Sequence, residues 1–572
     1  MQPAVPTWTV RPPAAPEELA RFAPLLPLAA QVLLNRGLSE AAEAEEFLDP
    51  DYRRLADPML MKGMDVATAR IAKALEAKEG ITIYGDFDAD GVTSVTLLVQ
   101  ALRHLGGQVE GYIPDRVEEG YGLNQEAVEA LAAQGTRLII TVDCGISNAA
   151  EVTRANELGV DVIVTDHHLP PPELPPALAI LDPHQTDCNY PFKRLAGVGI
   201  AFTLVRGLAK AGVSLENETG QGLRGRDLLD LVALGTVADV SALVGENRIL
   251  VAWGLDILRQ AERPGLRALM EVADVRAERV STGTIGFTLG PRLNAAGRLR
   301  HAINAYRLLA APSLEAAVPL AKELDALNRE RQALTEAVLE RARERVLALP
   351  DERKVILLAD ADFPAGVVGL VAGKLMEEFY RPTLLIERSE QESRGSARSI
   401  SAFHITEALR TCSDLLTRFG GHRVAAGFSL PNENLAALEE RLEALAAEQL
   451  DAVDLTPNIY VDAQAPLADL NWDLLRTLEK MAPFGIENPR AVFLCPGVQV
   501  MRARRFGKEG KHLRLTVSEG RLTQEAVAWR MGKREAEFRT GIFVDLVCTV
   551  NSNTWKGRER LQLVVRDLRP AG

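Results

Sequence analysis

Three short apolar runs in this chain end in the same way. Ile81–Tyr84 leads through Gly85 into Asp86, Asp88 and Asp90, Arg137–Val142 leads into Asp143, and Val160–Thr165 leads into Asp166, His167 and His168. Two more runs of the same type, Gln108–Ile113 and Ala177–Leu181, alternate with helical patterns such as Gln125–Gln134 and Ala149–Leu158. Short β-type runs separated by helices predict a parallel sheet, because parallel neighbours need a crossover and the helix supplies it. The carboxyl ends of such strands share one edge, where ligands bind. One aspartate at a strand end is usually a cap or a turn residue. Three strands with the same acidic ending predict a site.

The first ending, Asp86-Phe-Asp-Ala-Asp-Gly, starts like a calcium-binding EF-hand loop, but that motif needs a glutamate at its last position and a helix before it. Here Leu97 holds that position and a strand precedes the loop. Asp239 closes the apolar helical run that includes Leu234–Ala238. A carboxylate is unfavourable at the negative end of a helix unless a positive charge offsets it, and a cation would do so. Asp and His ligands without Cys suit manganese or magnesium better than structural zinc. Several carboxylates around a pair of such ions imply phosphoryl chemistry, with a bridging hydroxide held in line with phosphorus.

A chain of 572 residues is too long for one core. We expect an N-terminal arm and helices over 1–50, a first α/β domain over 51–312, a connecting helix over 313–350, a second α/β domain over 351–454 and a small barrel over 455–572. Ser313 caps the connecting helix and Pro350 stops it. The barrel is expected from five short alternating runs, Val498–Arg504, Lys511–Ser518, Glu525–Arg530, Phe543–Asn551 and Arg560–Asp567. The total charge of −13 hides an asymmetry: residues 490–572 carry 17 Lys and Arg against 8 Asp and Glu, and the remainder carries a balance of −22. One basic end on an acidic body is the footprint of a nucleic-acid-binding module or a solvated basic face. Arg502, Arg504, Arg505, Lys508, Lys511, Trp529 and Trp555 mix charge with aromatic rings in that end, as single-strand binding needs. The N-terminus lacks the layout of a secretory signal. Five cysteines form no Cys-x-x-Cys pair, which points to the reducing cytoplasm.

Asp88-Ala-Asp90-Gly, Val142-Asp143, Asp166-His167-His168 and Val237-Ala-Asp239 resemble the four motifs of the DHH phosphoesterases. Leu195-Ala-Gly-Val-Gly, Gly290-Pro-Arg-Leu-Asn-Ala-Ala-Gly-Arg, Gly395-Ser-Ala-Arg-Ser and Gly420-Gly-His-Arg-Val-Ala-Ala-Gly extend the resemblance, in order, to the single-strand-specific 5′→3′ exonucleases of that family. The resemblance implies a DHH catalytic domain, a linking helix, a DHH-associated substrate-binding domain and an OB-fold. It implies two ions, Mn2+ or Mg2+, bridged by Asp143, with Asp90, His167 and Asp239 completing one site and Asp88, with Asp86, serving the other. Many relatives carry a histidine where this chain has Tyr84, which leaves that ligand set open. His168 would contact the scissile phosphate, with Asp166 orienting the histidines. Arg292, Asn294, Arg298, Ser396, Arg398, Gly421 and His422 would hold the nucleotides. Read as residues alone, Ser396 and Arg398 lie in a Gly/Ser-rich turn, and Gly420–Gly427 is either a helix-packing loop or a place of close approach to phosphate. Tyr121 and Trp529 are either core residues or platforms for bases. The implied partners are single-stranded DNA, a single-stranded-DNA-binding protein and a helicase, with no membrane and a monomeric chain, in DNA repair and recombination. The rivals are a DHH enzyme of small substrates and a silent binding scaffold.

Overall fold

The first acidic runs build one sheet. Strands β1 (Gly80–Gly85), β2 (Gln108–Tyr112), β3 (Thr136–Val142), β4 (Asp161–Thr165) and β5 (Ala179–Leu181) lie in the order β2-β1-β3-β4-β5, and every neighbouring pair is parallel. The register decides what meets at the edge. Gly85 pairs with Val142, Val142 with Thr165, and Thr165 with Leu181. The next residues, Asp86, Asp143, Asp166 and Asp182, therefore leave the sheet side by side, at a strand spacing of about 4.8 Å. Helices α1 (Ala89–His104) and α2 (Gly197–Lys210) pack on this sheet and on each other, and α3 (Leu229–Ala238) packs on both helices. They are buried almost all round, which explains why α3 reads as apolar rather than amphipathic.

The structure, a computed structural model, describes residues 1–116, 119–217, 219–555 and 558–571. The side chain of Trp555 lies outside the described residues. The chain folds as two compact units, Trp8–Gly290 with Tyr306–Ala317 and Tyr460–Gly572, and Met1–Thr7 with Pro291–Ala305 and Val318–Ile459.

The first unit also contains the basic end. Strands β11 (Ala463–Gln464), β12 (Phe493–Phe506), β13 (His512–Glu519), β14 (Leu522–Ala528), β15 (Phe543–Trp555) and β16 (Arg558–Pro570) run in the order β11-β12-β13-β14-β16-β15, and β12 also pairs with β15. That last pairing closes a five-stranded barrel, the expected OB-fold. Its core continues into the N-terminal helices. Phe22, Ala29, Ala30, Val32 and Leu33 share one buried cluster with Leu474, Phe493, Leu515 and Leu546. Each such leucine or phenylalanine contributes roughly 1.5–3 kcal/mol by leaving water.

Helix α4 (Leu314–Leu347) reaches 34 residues, Ser313 caps it by accepting from the Ala316 N–H, and its residues from Val318 on belong to the second unit. Strands β6 (Ile356–Asp360), β7 (Thr383–Glu387), β8 (Glu392–Arg398), β9 (Arg418–His422) and β10 (Ala425–Pro431) form a mixed sheet in the order β9-β10-β8-β7-β6. This corrects two expectations. Ser396 and Arg398 lie on strand β8 rather than in a turn, and Gly420–Gly427 is a β-hairpin rather than a loop. Glycine and serine carry little strand signal, but this sheet needs glycine. A Cβ on Gly395 would sit 2.2 Å from the ring of Phe428 on β10.

Candidate active site

Backbone groups place two of the carboxylates, Asp88 and Asp90. Asp88 caps α1: its Oδ1 accepts from the N–H of Asp90 at 2.8 Å and of Gly91 at 3.1 Å. Asp90 points the other way, to the start of α2, and accepts from Gly197 at 2.7 Å and Val198 at 2.9 Å. The Asp239 carboxylate, at the end of α3, accepts from the Ser241 hydroxyl at 2.6 Å. Asp143 adopts a left-handed backbone, φ +60°, directly after β3. Non-glycine residues there are strained, and such strain tends to collect at functional sites.

These elements converge. One ligand atom each from Asp90, His167 and Asp239 lies within 4.8 Å of the others, and so do those of Asp86, Asp88 and Asp143. A third group joins Asp143 to His167 and His168, and the Asp143 Oδ1 is 2.9 Å from the His167 Nε2. Asp143 is thus common to two groups and touches a member of the remaining one. Asp166 stands behind the histidines. Its Oδ1 accepts from the backbone N–H of both and lies 2.7 Å from the His168 Nδ1, while Oδ2 accepts from Ile146. This carboxylate fixes the orientation of the His168 ring.

The electrostatics call for a cation. Burial, reinforced by Asp88, pushes Asp86 well above the usual carboxylate range. Burial and Asp239 push Asp90 up to about 7. Burial and the facing Asp90, Asp88 and Asp86 raise Asp143, and burial raises Asp239. The Asp86 Oδ1 is buried and has no hydrogen-bond partner. Buried polar atoms are rarely left so, and an oxygen-rich set of this kind suits a hard divalent ion. Burial disfavours the charged His168 ring, but Asp166 more than offsets this and holds its pKa above the ordinary value.

A pH dependence follows. Without a cation, Asp90 takes up a proton in the fold below about pH 7, whereas in the unfolded chain it does so only near pH 4. This group therefore stabilises the metal-free fold at low pH, and the stabilisation is lost as pH rises from about 4 through 7. A divalent ion needs the ionised form. The rise in Tm on adding Mn2+ should be larger at pH 8 than at pH 6; an equal rise would contradict this account.

Tyr84 does not join the cluster. Its hydroxyl donates to the Gly122 carbonyl and accepts from Asn124, and its ring stacks on Tyr112 within a buried core. Tyr121 is not a core residue: it is 51% exposed, its hydroxyl donates to the Asp143 carbonyl, and its ring meets His168 edge-on. Two features escaped the sequence reading. Arg116 lies over the ring of Phe87, 4.9 Å from its centre, and its charge favours ionised Asp86. Asp182 Oδ1 accepts from the His184 backbone N–H at 2.7 Å and faces its Nδ1 at 3.2 Å, repeating the Asp166–His168 arrangement at the end of β5. The triplet Asp182-Pro-His184 was the available signal.

The second unit gathers its own set. Arg292, on the helix Gly290–Leu299, is tied to the buried Asp325 of α4 at 3.0 Å. The Arg298 carbonyl lies against Gly366, in the first turn of helix α5 (Ala365–Phe379). Ser396 and Arg398 close on Gly369, one turn further along, where an added Cβ would lie 3.2 Å from the Ser396 Oγ and from the Arg398 Nη2. Ala425 pairs with both Arg398 and His422, so these three side chains share one face of the sheet. Ser396 pairs with Gly427, which pairs with Gly420, leaving that face low beside Arg398 and His422. Gly421, φ +146°, could not carry a side chain, because its Cβ would lie 2.3 Å from the Ala425 carbonyl. Asn294 lies on the same helix as Arg292 and Arg298. In the barrel, Trp529 falls just past β14 and is 51% exposed, not core. It packs edge-on with His512 and Phe506, ring centres 4.8 and 5.6 Å away.

A parallel sheet whose acidic edge can hold divalent ions defines a phosphoesterase of the DHH class, and residues 80–236 match the DHH family, N-terminal domain. Residues 352–448 match the DHHA1 domain and 461–567 the RecJ OB domain. The single-stranded-DNA-specific exonuclease RecJ of Bacillus subtilis (strain 168) is 38% identical over 545 residues, covering 95% of this chain and 68% of that protein. RecJ of Thermus thermophilus, crystallised with Mn2+, superposes with a TM-score of 0.84 at 32% identity, covering 99% of this chain and 80% of that one. The same protein with Mg2+ gives a TM-score of 0.78 at 30% identity, covering 99% and 78%. The chain belongs to the RecJ family of single-stranded-DNA-specific exonucleases. Among the described residues, no helix is long and apolar enough to cross a membrane.

Proposed function

We propose that this chain hydrolyses single-stranded DNA from the 5′ end and releases 5′-mononucleotides, in DNA repair and recombination. The observation that carries the reading is the position of Asp143, common to two ligand groups at the edge of a DHH sheet. Two ions, Mn2+ or Mg2+, are proposed, one held by Asp90, His167 and Asp239, the other by Asp86 and Asp88, with Asp143 reaching both. Such ions, when bound, activate water and neutralise the charge that develops on the phosphoryl oxygens.

The residues of the chain do the rest. Asp88 and Asp90 are held by the starts of α1 and α2: Asp88 through one oxygen, and Asp90 through both, each with a lone pair left for an ion. His168, oriented by Asp166, which also favours its charged form, donates to a non-bridging oxygen of the scissile phosphate. Water adds to phosphorus and the bond to the 3′ oxygen breaks, a proton of the water ending on that oxygen, so the first nucleotide leaves with a 3′-hydroxyl and the 5′-phosphate it already carried, and the shortened strand keeps a 5′-phosphate. Arg292, Asn294, Arg298, Ser396, Arg398, Gly421 and His422 bind nucleotide phosphates, arginine through its planar fork. The exposed Trp529, with Phe506 and His512, stacks bases of the incoming strand. A helicase and a single-stranded-DNA-binding protein are the proposed partners, and the chain acts as a monomer in the cytoplasm.

The test uses one oligonucleotide labelled at either end, with Mn2+. The 5′ label should appear as mononucleotide from the first time point, while the 3′ label remains on a shrinking ladder. Early release from the 3′ end, or equal cutting of a duplex, would overturn the reading. The rival reading as a silent scaffold predicts no release at all.

A further inference from the structure

Phe287 is 85% exposed, which is exceptional for a phenylalanine. It sits in the middle of a π-helix, Ile285–Leu289, closed by a bond from the Gly290 N–H to the Ile285 carbonyl. Such widened turns are rare and cluster at functional sites. Ile285 and Leu289, at the two ends of the turn, are buried. The turn is therefore anchored at both ends and holds the ring out into solvent.

Its position connects it to the acidic edge. A Cβ on Gly290 would lie 3.0 Å from the Ile285 carbonyl and 3.2 Å from the Cβ of Ala238. Ala238 is the last residue of α3, and Asp239 follows it. The end of the π-turn is thus seated on the helix end that presents a proposed metal ligand. Two other large apolar side chains are exposed next to proposed site residues, Val240 after Asp239 and Leu169 after His168. An acidic centre with exposed apolar residues next to its ligands in sequence suits a substrate that joins a phosphate to a flat apolar ring.

We infer that Phe287 stacks on a nucleobase flanking the scissile phosphate and so positions the single strand for cleavage. The inference rests on the proposed single-strand nuclease activity. Every base offers a π-face, so this contact binds without reading sequence. It also requires a base free to leave its neighbours, as in a single strand.

The experiment is a cycle of two changes on oligonucleotides in Mn2+. Wild type and Phe287→Ala are compared on an intact strand and on strands with one abasic residue immediately 5′ or 3′ of the scissile phosphate. Phe287→Ala should lower kcat/KM on the intact strand by roughly 5- to 100-fold, the range of one base–aromatic stack. One of the two abasic strands should cost wild type a similar factor, and that strand should cost Phe287→Ala nothing further. Phe287→Trp should keep most of the activity and Phe287→Leu should lose most of it. Tm should not move, because the side chain is exposed. Full activity in Phe287→Ala, equal activity in Phe287→Leu and Phe287→Trp, or losses that multiply at both abasic positions would overturn the inference. Absence of cleavage by wild type would instead overturn the activity on which it rests.

Discussion

Asp143→Asn should abolish single-strand hydrolysis while leaving a fold that is more stable without metal. The two effects have one cause. Asp143 is common to two ligand groups and lies against His167, so loss of its charge weakens both proposed ion sites together. A fall of at least about 10³-fold in kcat/KM, on the order of 4 kcal/mol of transition-state stabilisation, is expected. Burial and the facing carboxylates of Asp90, Asp88, Asp86 and Asp239 raise the Asp143 pKa, so a neutral amide relieves repulsion in the metal-free protein and its Tm should rise. Asparagine is the informative choice because φ is +60° here, a conformation it tolerates better than alanine does. The checks are strand degradation, Mn2+ binding by calorimetry, and melting with and without Mn2+. An active Asp143→Asn protein that binds Mn2+ as wild type does would remove the bridge from the site.

The parallel sheet could be read from the sequence because its signals are local. Its inner strands β1, β3 and β4 are mainly apolar runs, as strands buried on both faces must be, and the helices between them force the parallel arrangement. Its acidic edge was legible for the same reason: a chain that alternates in this way has only one edge on which strand ends can meet. The register that sets Asp86 beside Asp143 and Asp166 required the structure, because a parallel pair can shift without changing the pattern of either strand.

What escaped the reading depends on partners distant in sequence. Strands β8, β9 and β10 look like turns because their glycines and serines answer to Phe428 and to helix α5, not to their neighbours in sequence. The N-terminal helices give no sign that Phe22 and Leu33 belong to the core of a barrel formed near the other end of the chain. Arg116 and His184 sit outside every repeated pattern, and their placement follows from the ring of Phe87 and the carboxylate of Asp182. The π-turn at Phe287 has no sequence period of its own.

Gly197→Ala tests whether the active site depends on close approach of backbone as much as on its carboxylates. Gly197 opens α2 and donates its N–H to the Asp90 Oδ2 at 2.7 Å. A Cβ there would lie 2.8 Å from the Cβ of Asp143, 3.2 Å from its Cα and 3.0 Å from the Asp90 Oδ2. These atoms cannot swing away: Asp143 is fixed in a strained turn, and Asp90 is buried and already accepts from both Gly197 and Val198. The added methyl must therefore separate two carboxylates that belong to different ligand groups. A displacement of the order of 1 Å in a positioned group costs about 10²-fold, and a loss of that size in kcat is expected, with weaker Mn2+ binding. Strand binding in the second unit should be retained, since its residues are untouched. Gly212→Ala is the control, at the other end of the same helical segment: a Cβ there meets nothing within 4 Å although φ is +91°, so it strains the backbone without touching a ligand. It should lower Tm and leave kcat unchanged. If both variants lose activity in proportion to Tm, Gly197 matters only for folding; if Gly197→Ala alone loses kcat at temperatures where both are folded, the close approach of α2 belongs to the catalytic geometry.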